Sequence, residues 1–178
     1  MSFKSNVRSF FKNMLPVKIT DADVLFLREY LTKQEQIVFY RMSAIDQRHA
    51  LDTAFVIREM LGKRTKIKIE KLFKAALLHD IGKAQFKLIL RDRVLQTLFF
   101  KLLPPFANYL ADRGSVNHVG YWRRMMYCYK YHPRLGNEMA KDINVEDAVS
   151  FLIEHHHDPM TFNEPKELSI LREADDLA

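Results

Sequence analysis

The stretch Ala75-Ala76-Leu77-Leu78-His79-Asp80-Ile81-Gly82-Lys83 sets an imidazole and a carboxylate side by side at the end of an apolar run. The run predicts a buried helix, and Gly82 lets the chain turn directly after it. An ionisable pair is costly in such a place unless both groups are bound to something. An apolar setting also disfavours imidazolium, which leaves the ring neutral as a metal ligand must be. A carboxylate here can bridge two cations, which imidazole cannot, and Lys83 then presents a cation at the rim.

The flanking sequence reads helical. Thr20-Asp21-Ala22-Asp23 and Thr32-Lys33-Gln34-Glu35 have the capping-box form. Val38, Met42, Ile45, Val56 and Met60 recur at three-and-four spacing, which predicts one helix over 35–61 with Gly62 at its C-cap. Further helices are expected from 69 to near Gly82, over 86–103 with a stop at Pro104-Pro105, and over 132–141, 145–156 and 166–177. Five glycines and six prolines in 178 residues argue against a turn-rich β fold. The expected fold class is therefore all-α, a domain over 35–178 with residues 1–34 as a helical extension packed on it. In that extension Phe3, Val7, Phe10, Phe11 and Leu15 stand against Lys4, Arg8 and Lys12, a short basic amphipathic helix read as packing on its own domain.

Composition narrows the function. Apolar residues make up 48% of the chain, enough for a real core. Twenty-eight Lys and Arg against 22 Asp and Glu leave a net charge of +6, which favours anionic partners. The single cysteine, Cys128, excludes an internal disulfide and Cys-rich zinc motifs and fits a reducing, cytoplasmic setting. No apolar run is long enough for a membrane span, and the first eight residues are too charged for a signal peptide.

The seven histidines carry the chemistry. His49 falls on the predicted inward stripe, and Asp52 is expected to share its face. In His155-His156-His157, successive helical residues point about 100° apart, so two can converge where the helix ends and one is a spectator. Asp175-Asp176 divides in the same way, one inward and one toward solvent. His118 reads as a surface loop residue and Cys128 as a packed thiol. His49, His79, Asp80, His132, a pair near His156 and Asp175 lie on five helical segments. They form the mixed imidazole and carboxylate set that holds Mn, Fe, Zn or Mg in hydrolytic sites.

These residues, in this order, resemble the HD-domain superfamily of metal-dependent phosphohydrolases, and within it the HDIG type, from about His49 to Asp175. The resemblance implies that His49, His79, Asp80 and Asp175 hold one divalent ion. His132, in His132-Pro133-Arg134-Leu135-Gly136, would serve a second ion together with His156 and His157; the frame His155-His156 stays open. Asp80 would bridge the ions, and Lys83 with Arg134 would orient the phosphate. The chain lacks the Gly-Tyr-Pro motif of the cyclic-di-GMP-cleaving branch, and Ile45 stands where three-metal members carry Glu. The implied activity is hydrolysis of a nucleotide-like phosphoester with two ions, Mn or Fe, with Zn, Mg or Ni as alternatives. The rival readings are a one-metal nucleoside monophosphatase and a regulatory, nucleotide-sensing module. The interval from Asp80 to His132 holds Arg91, Arg93, Arg113, Arg123 and Arg124 among aromatics, as a substrate lid or as a solvated basic surface.

Overall fold

The computed structural model describes residues 18–62, 69–86 and 90–178. The amphipathic segment over 3–15 lies outside the described residues. Nine α-helices and one 3-10 turn are found among the described residues, with no strand. They are α1 (Asp21–Tyr30), α2 (Lys33–Arg41), α3 (Ala44–Leu61), α4 (Ile69–Leu78), the turn Ile81–Gln85, α5 (Leu90–Leu102), α6 (Pro104–Asp112), α7 (Tyr121–Asp142), α8 (Asp147–His155) and α9 (Lys166–Leu177). None is long and apolar enough to cross a membrane.

Both expected capping boxes form. The Thr20 hydroxyl accepts from the Asp23 N–H, and the Asp23 carboxylate accepts from the Thr20 N–H at 2.8 Å. Thr32 and Glu35 repeat the exchange at α2. The single helix expected over 35–61 is instead two. Met42 and Ser43 are extended, and Ser43 caps α3 by accepting from the Asp46 N–H while donating to its carboxylate at 2.8 Å. This break rotates the buried stripe of α3 onto Ala50, Leu51, Thr53, Ala54 and Ile57, so Met60 is exposed. Asp52 is likewise not inward: it pairs with Arg48 at 2.6 Å on an outer face.

Pro104 and Pro105 do not simply end a helix. They open α6, in the first turn, where a missing N–H breaks no bond. Helix α7 begins at Tyr121, well before the expected start at 132, and carries Pro133 inside it.

The main core joins α1 to α4 with α8, α9 and the end of α7, through residues such as Leu27, Phe39, Leu51, Leu77, Ile153 and Leu171. A smaller cluster of Ala107, Ala111, Met125 and Met126 packs α5, α6 and the first half of α7 together. Of the arginines in this interval, Arg93 and Arg124 reach back to the main body. Arg93 grips Asp46, and Arg124 donates to the Gln85 carbonyl at 3.3 Å. Arg113 lies over Tyr109, and Arg91 is exposed beside Asp92.

Candidate metal centre

The turn Ile81–Gln85 lies directly on α7, and glycine permits the approach. A Cβ on Gly82 would stand 2.0 Å from the His132 carbonyl oxygen and 2.6 Å from the Gly136 nitrogen. A Cβ on Gly136 would meet Ile153 Cγ2 of α8 at 2.9 Å. Two glycines thus let three backbones close in, bringing His79, Asp80, His132 and His156 together.

Each of the three buried rings is aimed by a carbonyl that its helix leaves spare. His79 donates from Nδ1 to Ala76 O at 2.8 Å, and His156 from Nδ1 to Ile153 O at 2.7 Å. Both carbonyls lie in the last four of α4 and α8, which lack intrahelical partners. His132 sits mid-helix, where no carbonyl should be spare. Pro133, however, has no N–H to give the Tyr129 carbonyl, and His132 Nδ1 takes it at 2.7 Å. A carbonyl only accepts, so each Nδ1 carries a proton and each ring turns its Nε2 inward, as a lone pair wherever the ring is neutral.

Those inward atoms have no hydrogen-bond partner. Nε2 of His79, His132 and His156 and Oδ1 of Asp80 are all buried and unsatisfied. His132 Nε2 faces Asp80 Oδ1 at 3.2 Å, one acceptor against another when the ring is neutral. Around them, His49 Nε2 lies 2.7 Å from Asp175 Oδ1, and His79 Nε2 lies 3.3 Å from the same oxygen. The donor atoms fall into three sets, each within 4.8 Å: His49–His79–Asp175, His132–His156–His157, and His79–Asp80–His156 between them. A family model described as HD domain matches residues 47–178. The chain belongs to the HD domain family. No curated protein and no solved structure matches it.

The HD domain is typical of metal-dependent hydrolases, and this cluster fits a divalent cation. Leaving a buried acceptor unsatisfied costs roughly 1–3 kcal/mol, and a cation satisfies several at once. The charges agree. Burial acts to raise Asp80, yet Lys83 and His79 hold it well below the ordinary carboxylate range. Asp175, also raised by burial, is held far down by His79 and His49. Burial keeps His132 and His156 below the ordinary imidazole value, helped by Lys83 at His132 and by His79 at His156. His157, exposed as a residue but with its ring enclosed, is pushed down to about 4 by that enclosure and by His132. His79 is opposite: burial would lower it, but Asp80 and Asp175 hold it up at about 10. A proton on His79 thus answers the same two carboxylates that a cation would.

The remaining residues divide clearly. Lys83 Nζ meets Asp80 Oδ2 at 2.6 Å, and Asp80, with Asp46, keeps the ammonium charged against burial. His155 turns away to Asp158 at 2.6 Å, so in this structure the convergent pair is His156 and His157. His118 is exposed at a positive φ of 58°, and Cys128 is buried. Arg134 is not brought to the cluster. It donates to the Tyr127 hydroxyl at 2.7 Å on an exposed face of α7, about 200° around the helix from His132. Sequence reading placed Arg93 in a lid or on a solvated surface and missed its pairing with Asp46, which pins α5 to the start of α3. The signal was present, since Ser43-Ala44-Ile45-Asp46 has the same hydroxyl and carboxylate spacing as the other two caps.

Proposed function

We propose that this HD domain, of HDIG type, is a phosphoester hydrolase that uses two adjacent divalent ions, Mn or Fe, on a nucleotide-like substrate. His49, His79 and Asp175 would hold one ion, and His132, His156 and His157 the other, with Asp80 between them. The observation that carries the reading is the clustering of four buried polar atoms without hydrogen-bond partners, Nε2 of His79, His132 and His156 and Oδ1 of Asp80, with an ammonium at its edge. Divalent cations held by these residues would supply charge neutralisation at phosphorus and make a nucleophilic water more acidic.

The chain's own residues do the rest. The spare carbonyls hold the Nδ1 protons, so the neutral His132 and His156 rings would offer Nε2 lone pairs to a cation, and His79 would offer its own on giving up the Nε2 proton. Asp80 is ionised and pinned by Lys83. Lys83 remains cationic and, with 19% of its side chain exposed, would meet a phosphate oxygen. A cysteine mechanism has no support, because burial pushes the Cys128 thiol up to about 11.

The test is hydrolysis of bis(p-nitrophenyl) phosphate and p-nitrophenyl phosphate by the full chain, with Mn²⁺ and then with chelator. Turnover should appear with Mn²⁺ and vanish both in chelator and in Asp80→Asn. A chain that keeps the metal but cleaves neither these esters nor any of a nucleotide panel would overturn the reading in favour of a regulatory module.

A further inference from the structure

Fifteen large apolar side chains are exposed among the described residues, and seven of them fall between Leu98 and Trp122. They gather on the part of the molecule built from α5, α6 and the start of α7. Helix α5 ends at Leu102 and α6 begins at Pro104, so a single residue, Leu103, joins them. All six residues from Lys101 to Phe106 are exposed, with Leu102 at 70%, which makes the junction a projecting corner. Leu98 lies one turn before Leu102 on α5. The Phe99 ring centre stands 6.1 Å from those of both Phe106 on α6 and Trp122 on α7, so the apolar groups of the three helices form one patch. A contiguous exposed patch of this kind marks an interaction site, where scattered single side chains would not.

The charge of the chain is concentrated in the same place. Residues 90–131 hold seven Lys and Arg against two Asp, which is five of the six net positive charges of the whole chain. Asp46 and Asp112 take up Arg93 and Lys130, Arg91 stands beside Asp92, and Arg124 turns to the Gln85 carbonyl. Lys101, Arg113 and Arg123 are exposed and form no salt bridge among the described residues. Each is tied to the patch. Lys101 precedes Leu102, Arg123 follows Trp122, and the Arg113 guanidinium lies 4.1 Å from the centre of the Tyr109 ring, one turn beyond Phe106.

We propose that this corner docks on an anionic lipid surface. Leu102, Leu103 and Phe106 enter the boundary between headgroups and acyl chains, and Lys101, Arg113 and Arg123 meet the lipid phosphates. Trp122 and Tyr109 suit the boundary itself, where an aromatic ring can keep its polar end wet. A second copy stacked corner to corner would set cations against cations. So would the chain's own segment over 3–15, since residues 1–20 carry Lys4, Arg8, Lys12 and Lys18 and no Asp or Glu. A projecting corner also suits a fluid interface, which needs no matching groove. Attachment is to the surface, because no described helix is long and apolar enough to cross the bilayer.

Trp122 is the only tryptophan in the chain, so its fluorescence reports on the corner directly. The full chain is mixed with vesicles of phosphatidylcholine alone, or of phosphatidylcholine and phosphatidylglycerol in equal parts. Binding is followed by sedimentation and by Trp122 emission. The anionic vesicles should bind at least about tenfold more tightly than the neutral ones, shift the emission to the blue, and release the chain in high salt. Leu102→Ser combined with Phe106→Ser should abolish the blue shift and weaken sedimentation by about tenfold or more. Both side chains are exposed, and circular dichroism checks that the double variant is folded. Equal binding to the two vesicle types, or a folded double variant that sediments like the wild type, would overturn the proposal. Sedimentation with no shift of Trp122 would overturn it as well, leaving a purely ionic face suited to an acidic protein.

Discussion

Gly82 and His132 meet backbone to backbone, with no room between them for even a methyl group. The chain that carries Asp80 is thereby pressed against the helix that carries His132, and the two side chains face each other at 3.2 Å. Gly82→Ala would drive a Cβ into three backbone atoms that cannot rotate away. It should destabilise the fold by about 3 kcal/mol or more. Gly136→Ala meets the end of an Ile153 side chain instead and should cost about 1–3 kcal/mol. Denaturant midpoints of the two variants check the order; a harmless Gly82→Ala would refute the close approach.

Pro133 is read here as a positioning residue. Pro133→Ala restores a backbone N–H that competes with His132 Nδ1 for the Tyr129 carbonyl. Removing an interior proline should stabilise the helix, by up to about 3 kcal/mol. Loosening a ring's outer partner should weaken metal binding by roughly 10–100-fold. Thermal melting of the metal-free chain and metal titration should therefore move in opposite senses. A variant that loses both stability and metal would make the proline merely structural.

This pairing also explains what the sequence hid. Proline at 133 looks like a helix start, so α7 was expected from 132; its role is visible only once the His132 ring fills the missing bond. The caps at Thr20 and Thr32 and the final helix could be read directly, because their signals are local. The break at Ser43 rested on an equally local signal, overridden by a hydrophobic periodicity that ran through it. Asp52 was misplaced by the same periodicity, since three residues from His49 is also four from Arg48. The convergence of His49 with Asp175 and of His132 with His156 was legible as residue types in order. That Arg134 faces away required knowing that α7 continues unbroken through Pro133.

Asp23 couples the first cap to α3, accepting from Thr20 and pairing with Arg48 at 3.2 Å. Burial acts to raise its carboxyl, but Thr20 and then Arg48 hold it below the ordinary 3.8. A depressed folded pKa gives stability that is present above the unfolded value and lost as pH falls through the folded one. Asp23→Ala should thus cost about 1 kcal/mol or more near neutral pH. The gap from wild type should close below about pH 3.8. Melting temperatures of both chains from about pH 2 to about pH 7 check this; a gap that does not narrow toward the acid end would contradict it.

The central claim is that His132 serves an ion position of its own beside the one served by His49, His79 and Asp175. Elemental analysis of Mn-reconstituted wild type and His132→Ala, each shown folded by circular dichroism, tests it most directly. The wild type should hold about two ions per chain and the variant about one, with Asp80 still anchoring the ion that remains. One ion in each, with the variant's content unchanged, would contradict it.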